Sequence, residues 1–181
     1  TWYSILDHLP DRQPVRRAEL TIGYRIPAPI MDVAARGLTE AAPDMSPPNS
    51  VRSTGDPPRF VSVGESLDCL AEVVAEELRV VGAGNLAVIV AGSQVAEVEG
   101  VLEAAGIVFG RPTRRGLDEQ VAVVPVGLVK GLEVDAAVVV EPARIIREQD
   151  QGVRALYVAL TRATKRVAVV HAEPLPDLLN P

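Results

Sequence analysis

Two short polar segments of this 181-residue chain carry residues suited to holding an anion. The first segment consists of Lys130, Gly131, Leu132 and Glu133. It places a cation, a flexible glycine and a carboxylate before the apolar run at 138–140. The second segment, 159–163, ends an apolar stretch with the guanidinium group of Arg162. A packed core alone requires charged groups in neither place, so together the two segments indicate a nucleotide as the ligand.

A third segment of the same kind lies near the start of the chain. It consists of Leu20, Thr21, Ile22, Gly23, Tyr24 and Arg25. In order and spacing, the three segments resemble the last nucleotide-responsive motifs of superfamily 1 helicases of the UvrD/Rep type. The resemblance covers residues from about 19 to 171. It implies an α/β fold, namely a three-layer RecA-like (P-loop NTPase-type) domain with a mainly parallel central sheet.

The resemblance also implies roles for the residues of the third and second segments. Arg25 and Arg162 match arginines that contact the γ-phosphate of ATP, where fixed positive charge offsets the charge on the phosphoryl oxygens. The alternative is that both are ordinary surface or ion-paired arginines. Tyr24 matches the aromatic residue that stacks on adenine. The alternative for Tyr24 is packing against the following helix.

The first segment matches the part of the family that meets the ribose. Glu133 matches a carboxylate that accepts hydrogen bonds from a ribose hydroxyl, and Gly131 allows the backbone to approach the nucleotide closely. Alternatively, Glu133 caps a neighbouring helix or pairs with Lys130. Lys130 is expected to belong to the same nucleotide-binding group. Alternatively, it contacts an acidic group of the partner lobe or remains solvated.

The sequence contains neither a GxxxxGK[ST] phosphate loop nor an acidic pair that would hold magnesium. We therefore expect the chain to be the second RecA-like lobe of a longer protein. The first lobe would supply the phosphate loop and the Mg²⁺ ligands. ATP and Mg²⁺ would both require that lobe, and the chain alone would be inactive as an ATPase or helicase.

The spacing between Arg25 and Lys130 favours one subgroup, because it leaves no room for the large subdomain usually inserted in a UvrD-type second lobe. This shortened plan resembles the actinobacterial HelD group, helicase-like factors that associate with bacterial RNA polymerase. Gly23 and Val134 depart from the Asn and Phe common in the family. Gly127, with the residue before it, replaces a Thr/His pair that often touches single-stranded DNA, which weakens the case for processive unwinding.

Three functions follow from these observations. The expected one is the second motor lobe of a HelD-like factor that remodels or releases RNA polymerase. The alternative is an ATP-dependent DNA helicase or translocase in DNA repair. A third is a docking domain that no longer responds to nucleotide. The expected partners are the first lobe, the RNA polymerase core and DNA, with no membrane.

The net charge of −6 and the pI near 5.0 argue against a free-standing, non-specific nucleic-acid binder, so any strand contact would be local. The best basic cluster is formed by Arg111, Arg114 and Arg115 and is either a solvated loop or a contact for nucleic acid or polymerase. Cys69 is expected to fill the core. A single cysteine and no apolar run of about 20 residues predict a cytoplasmic protein without disulfides or a thiolate metal site.

Alternating extended and amphipathic segments predict the elements that hold these residues. Extended segments are expected at 19–22, 59–63, 86–91, 107–109, 121–126, 136–140 and 167–171. Helices are expected at 28–41, 67–81, 94–105 and 152–163. Continuous valine runs predict strands that are buried on both faces. Residues 1–181 are predicted to form one domain, with an N-terminal helix or linker at 1–18, a proline-rich loop at 42–58 and a tail at 172–181.

Overall fold

The structure is a computed structural model that describes residues 8, 21–42, 46–64, 67, 69–112 and 119–180. Its α-helices are α1 (Ala28–Ala41), α2 (Leu70–Val81), α3 (Val95–Ala104), α4 (Pro142–Glu148) and α5 (Gly152–Leu160). Its strands are β1 (Ile22–Gly23), β2 (Asn49–Ser50), β3 (Arg59–Ser62), β4 (Leu86–Val90), β5 (Val121–Pro125), β6 (Val134–Val140) and β7 (Ala163–His171). The expectations for 1–18, and those for Glu19, Leu20, Arg114 and Arg115, lie outside the described residues, apart from His8.

Five strands form one parallel sheet in the order β3-β7-β6-β4-β5. Residues along its central strands alternate between two hydrophobic clusters, because successive side chains point to opposite faces. In β4, Ala87 and Ile89 pack with α1 and α5, whereas Leu86 and Val88 pack with α2 and α3. Helices therefore cover both faces of the sheet. The predicted three-layer α/β fold with a mainly parallel sheet is confirmed.

The small β1-β2 sheet is separate from the five-stranded sheet. Its two strands are parallel, with Ile22 opposite Asn49 and Gly23 opposite Ser50. Strand β2 lies inside the predicted proline-rich loop, of which 42 and 46–58 are described. This part of the loop is therefore tied by backbone hydrogen bonds to the segment that precedes Tyr24.

The alternation of extended and amphipathic segments predicted most of the strands and helices, and α1 has the predicted bounds. The extended segment predicted at 107–109 is wrong: it lies at the sheet edge, Val108 is exposed, and only its neighbour Gly110 forms an isolated bridge, to Ala122. The prediction that Cys69 fills the core is also wrong, because α2 begins one residue later and the thiol is exposed. Helix α4 was not predicted, since its seven residues, of which the first is a proline, give too short a pattern.

The end of the described chain packs on the body. Leu179, in a 3₁₀ turn at Asp177–Leu179, is fully buried in the cluster that contains α1 and α5. No helix in the described ranges is long and apolar enough to cross a membrane.

Strand register brings the polar segments together. Strands β6 and β7 are parallel neighbours, and Val134 lies opposite Ala163 at their amino ends. Glu133 and Arg162 immediately precede these two residues, so both polar segments end at the same edge of the sheet.

Candidate functional site

Arg162 occupies the turn between α5 and β7, and its side chain is about half buried. Its Nε donates to the carbonyl oxygen of Val158 at 2.9 Å, and its Nη1 donates to the carbonyl oxygen of Leu132 at 3.3 Å. Its Nη2 lies 3.4 Å from Thr161 Oγ1. The short Nε bond fixes the direction of the guanidinium group, while the two Nη contacts are long and weak.

The 130–133 turn holds both arginines of the site. Gly131 has φ of +86°, a left-handed conformation that strongly favours glycine. The residue after it offers the Leu132 carbonyl to Arg162, and Glu133 offers its carboxylate to Arg25. The positive φ at Gly131 therefore sets the backbone that connects the two cations.

Arg25 and Glu133 form an ion pair with 3.1 Å between Nε and Oε2, and each side chain is 51% exposed. The alternative pairing of Glu133 with Lys130 is thus wrong. The capping alternative is wrong as well, since no described helix has a side-chain cap hydrogen bond. An ion pair this exposed is exchangeable, because solvent already competes for both groups.

The charges of Arg25 and Arg162 favour the binding of an anion between them. Burial lowers the pKa of Arg162 below its ordinary value, and the positive charge of Arg25 lowers it further, while Tyr157 and Glu133 act in the opposite direction. The guanidinium still remains charged at neutral pH. A partly desolvated cation therefore lies beside a second cation, and added negative charge would stabilise both.

An open cleft of about 320 Å³ lies between the segment that contains β1 and Arg25 on one side and the end of α5 with Arg162 on the other. Tyr24, Arg25, Tyr157 and Arg162 line it. The side chain of Tyr24 is 73% exposed, so it is not packed under the following helix and its ring is accessible from the cleft. The cleft thus combines an aromatic face with two cations.

Tyr157 is a lining residue that sequence reasoning missed. It lies on α5 four residues before Thr161, so both residues are on the face that borders the cleft. Burial raises the pKa of Tyr157, and the charge of Arg162 partly offsets this effect. Its hydroxyl has no hydrogen-bond partner among the described residues. The only available signal was an aromatic residue one turn before the polar end of an apolar helix.

A second open cleft, of about 680 Å³, lies on the other side of Arg162. Lys130, Arg154, Asp150 and Gly127 line it. Lys130 therefore lines a different cleft from Tyr24 and Arg25, while Arg162 lines both clefts. Gly131 and Glu133 line neither cleft.

Two further expectations concern cations and metals. Arg111 forms a bidentate contact with Glu99, with both distances 2.7 Å, and stacks over Phe109, so this described member of the basic cluster is neutralised locally. Within the described ranges, no three His, Cys, Asp or Glu side chains are grouped as a metal site would require. The carboxylate of Glu133 is already paired with Arg25, so the two arginines and this carboxylate fit a triphosphate better than they fit Mg²⁺.

The parallel sheet with helices on both faces matches the RecA-like fold of helicase C-terminal domains. Residues 120–170, which include the 130–133 turn and Arg162, match the family model described as the UvrD-like helicase C-terminal domain.

The C-terminal domain of a possible DNA helicase from Lactobacillus plantarum WCFS1 is similar in structure. Its TM-score is 0.64 at 24% sequence identity, over 87% of this chain and 92% of that one. The SWI2/SNF2 ATPase core of Sulfolobus solfataricus, solved in complex with double-stranded DNA, has a TM-score of 0.48 at 15% identity, over 87% of this chain and 35% of that one. No curated protein matches the chain in sequence.

Proposed function

We propose that this chain is the second motor lobe of an ATP-dependent superfamily 1 helicase-like protein. One observation carries the proposal: Arg25, Glu133 and Arg162, which are far apart in sequence, converge beside the accessible ring of Tyr24. The match of residues 120–170 to the UvrD-like C-terminal domain supports it. ATP supplies the phosphoanhydride bond whose cleavage drives such a motor, and this lobe supplies fixed positive charge.

Arg162 is the main γ-phosphate contact in this proposal. Its Nη atoms make only long bonds, at 3.3 and 3.4 Å, and each Nη carries two N–H groups, so they can donate to a phosphate while the Nε bond to Val158 keeps the side chain in place. Positive charge that is positioned in advance stabilises the phosphoryl transition state without reorganisation.

Arg25 and Glu133 act as an exchangeable pair. Their ion pair is half exposed, so a phosphate can replace the carboxylate as the partner of Arg25. The released Glu133 carboxylate then accepts a hydrogen bond from a ribose hydroxyl, and Tyr24 stacks on the adenine. Gly131 keeps the backbone of the turn in the conformation that this exchange needs.

The first RecA-like lobe is the proposed partner across the cleft and the source of the phosphate loop and the Mg²⁺ ligands. The apolar side chains of Ile22, Tyr24 and Val51 lie around the small sheet, and they are 68%, 73% and 62% exposed. Exposed apolar groups that border a charged cleft are suited to an interface that closes over the nucleotide. We place Lys130 on the neighbouring surface, where it contacts an acidic group of that lobe.

Within this class we propose a HelD-like factor that remodels or releases RNA polymerase. Two features support this proposal: Gly127 offers no side chain to a nucleic-acid strand in the second cleft, and ordinary strand and helix units occupy the chain between Arg25 and Lys130. A DNA helicase or translocase in DNA repair is the second candidate. Lys130, Arg154 and Arg162 favour it, because they give the second cleft local positive charge for phosphates.

The test of the motor role is ATP hydrolysis by the full-length protein. Arg162→Ala should reduce kcat by about 100-fold or more. Arg36→Gln is a matched control, because Arg36 donates to the Asn180 carbonyl at 2.5 Å and lines neither cleft. Normal turnover in Arg162→Ala would refute the proposal.

A second experiment separates the two candidate functions. Full-length protein should co-purify with core RNA polymerase and should not displace a strand from a tailed duplex. ATP-dependent strand displacement without polymerase binding would select the repair helicase instead. Nucleotide-dependent protection of the full-length protein from proteolysis would exclude the third function, a docking domain that does not respond to nucleotide.

A further inference from the structure

Arg52 joins the backbones of the two segments that carry the site arginines. Its Nη1 donates to the carbonyl oxygen of Arg25 at 2.6 Å and to that of Thr164 at 2.7 Å. A guanidinium Nη carries two N–H groups, so one nitrogen can make both bonds. Thr164 is in β7, two residues after Arg162.

The backbone at Arg52 is itself anchored around the 24–27 segment. The Arg52 carbonyl accepts from the N–H of Ala28 at 2.8 Å, and the Arg52 N–H donates to Ser50 Oγ at 3.1 Å. The same hydroxyl donates to the carbonyl of Ile26 at 2.5 Å. The side chain of Arg52 therefore starts from a fixed point and reaches two fixed acceptors.

The topology explains why such a link is needed. Strand β1, directly before Tyr24, pairs with β2 and is not part of the sheet that contains β7. Sheet hydrogen bonds therefore do not set the distance between Arg25 and Arg162. The Arg25–Glu133 ion pair contributes, but the proposed exchange with phosphate breaks it. The two bonds of Arg52 involve backbone carbonyls and remain when the ion pair opens.

We propose that Arg52 is a positioning residue that sets the spacing of Arg25 and Arg162 at the γ-phosphate. This inference rests on the proposed function. Arg52 does not line the cleft with Tyr24, so it acts through the other two arginines. A displacement of about 1 Å in a group that acts at the transition state can cost about 100-fold in rate, whereas groups that bind the base and ribose keep their contacts.

The test compares steady-state ATP hydrolysis by the full-length protein and its variants. Arg52→Gln should lower kcat by about 10- to 100-fold and change the KM for ATP by less than about threefold. Arg52→Lys should recover most of the lost kcat, because an ammonium group can donate to both carbonyls. Arg36→Gln removes a comparable arginine-to-carbonyl bond and should leave both constants unchanged.

A double variant shows whether Arg52 acts through the proposed route. In the Arg162→Ala background, Arg52→Gln should reduce kcat by much less than it does alone, because one of the two groups whose spacing it sets is gone. Additive losses of kcat in the double variant would overturn the inference. A change in KM without a change in kcat would also overturn it, and so would an equal loss of kcat in Arg36→Gln. If Arg52→Gln does not fold, Arg52→Met replaces it with the same expected loss of kcat at normal KM, and an unchanged kcat in that variant would overturn the inference.

The outcomes also separate this inference from the proposed function. If Arg162→Ala loses activity while Arg52→Gln behaves as wild type, only the role of Arg52 is wrong. If Arg162→Ala retains activity, the proposed function fails and the role of Arg52 fails with it.

Discussion

The guanidinium group of Arg25 pairs with the carboxylate of Glu133, although one residue follows a strand of the small sheet and the other precedes a strand of the main sheet. In this structure, each of the two charged groups is the ion-pair partner of the other. An ion pair that is half exposed on both sides contributes about 0–1 kcal/mol to folding. In the proposed function, the ion pair therefore holds the two groups close to the positions in which they would contact ATP, and it contributes little to stability.

The substitution Glu133→Gln separates the contribution of the carboxylate to ATP binding from its contribution to stability. The free energy of unfolding should change by less than about 1 kcal/mol, because the lost ion pair is exposed. The KM for ATP of the full-length protein should rise by about tenfold, since a charge-assisted hydrogen bond to the ribose becomes a neutral one. Glu173→Gln, which breaks the exposed pair with Arg147, is the matched control and should leave KM unchanged. An unchanged KM in Glu133→Gln would remove the ribose contact from the proposal.

Tyr24 provides a test of base stacking. Tyr24→Ala should raise the KM for ATP by about tenfold, because stacking of a base on an aromatic ring contributes about 1–3 kcal/mol. Tyr24→Phe should behave as wild type, since the ring is retained. Neither change should shift the thermal midpoint measurably, because the side chain is 73% exposed. A loss of activity in Tyr24→Phe as large as in Tyr24→Ala would contradict stacking as the mechanism.

Gly152 is required where α4 and α5 meet closely. A Cβ at this position would overlap the carbonyl oxygen of Ile146. Gly152→Ala should therefore destabilise the fold by about 1–3 kcal/mol, measured by denaturant unfolding, even though alanine is the better helix former.

Gly100 is the matched control for this prediction. It lies within α3, and an added Cβ there has no neighbour within 4 Å. Gly100→Ala should stabilise the fold by about 0.5–1 kcal/mol. Equal effects of the two substitutions would show that the close approach at Gly152 is not the cause.

Asp135 gives a prediction for pH. Its Oδ1 accepts from Lys165 Nζ at 2.7 Å and its Oδ2 accepts from the N–H of Asn85 at 3.1 Å; these contacts, with Lys165 the largest cause, hold the pKa of Asp135 below its ordinary value of 3.8. A carboxyl group with a lower pKa in the folded state stabilises that state above its unfolded pKa. This contribution is lost as the pH falls through the folded pKa.

Asp135→Asn should therefore lower the thermal midpoint at neutral pH, and its difference from wild type should shrink once the pH falls below about 4. Asp32→Asn, at an exposed position, changes the net charge equally and serves as the control. A difference that stays constant down to pH 2.5 would rule out the ionised carboxylate as the source of stability.

Periodicity was enough to predict helices and strands where local pattern and burial agree. Helix α1 has its predicted bounds, and the valine-rich strands β4 and β6 are buried on both faces as expected. The pattern failed where it was short or at an edge, as at 107–109 and in α4. In those places a few residues carry too little periodic signal to compete with turn and end effects.

Residue types and order along the chain were also enough to name Arg25, Arg162 and the 130–133 turn as candidates for one site. The contacts that these residues make could not be predicted from the sequence. The pairing of Arg25 with Glu133, the bridge from Arg52 to Thr164 and the position of Tyr157 on the cleft depend on which strands are neighbours and on the register of Val134 with Ala163. A linear pattern records the faces of single elements, whereas these contacts join elements distant in sequence and exist only after the sheet and its helices have packed.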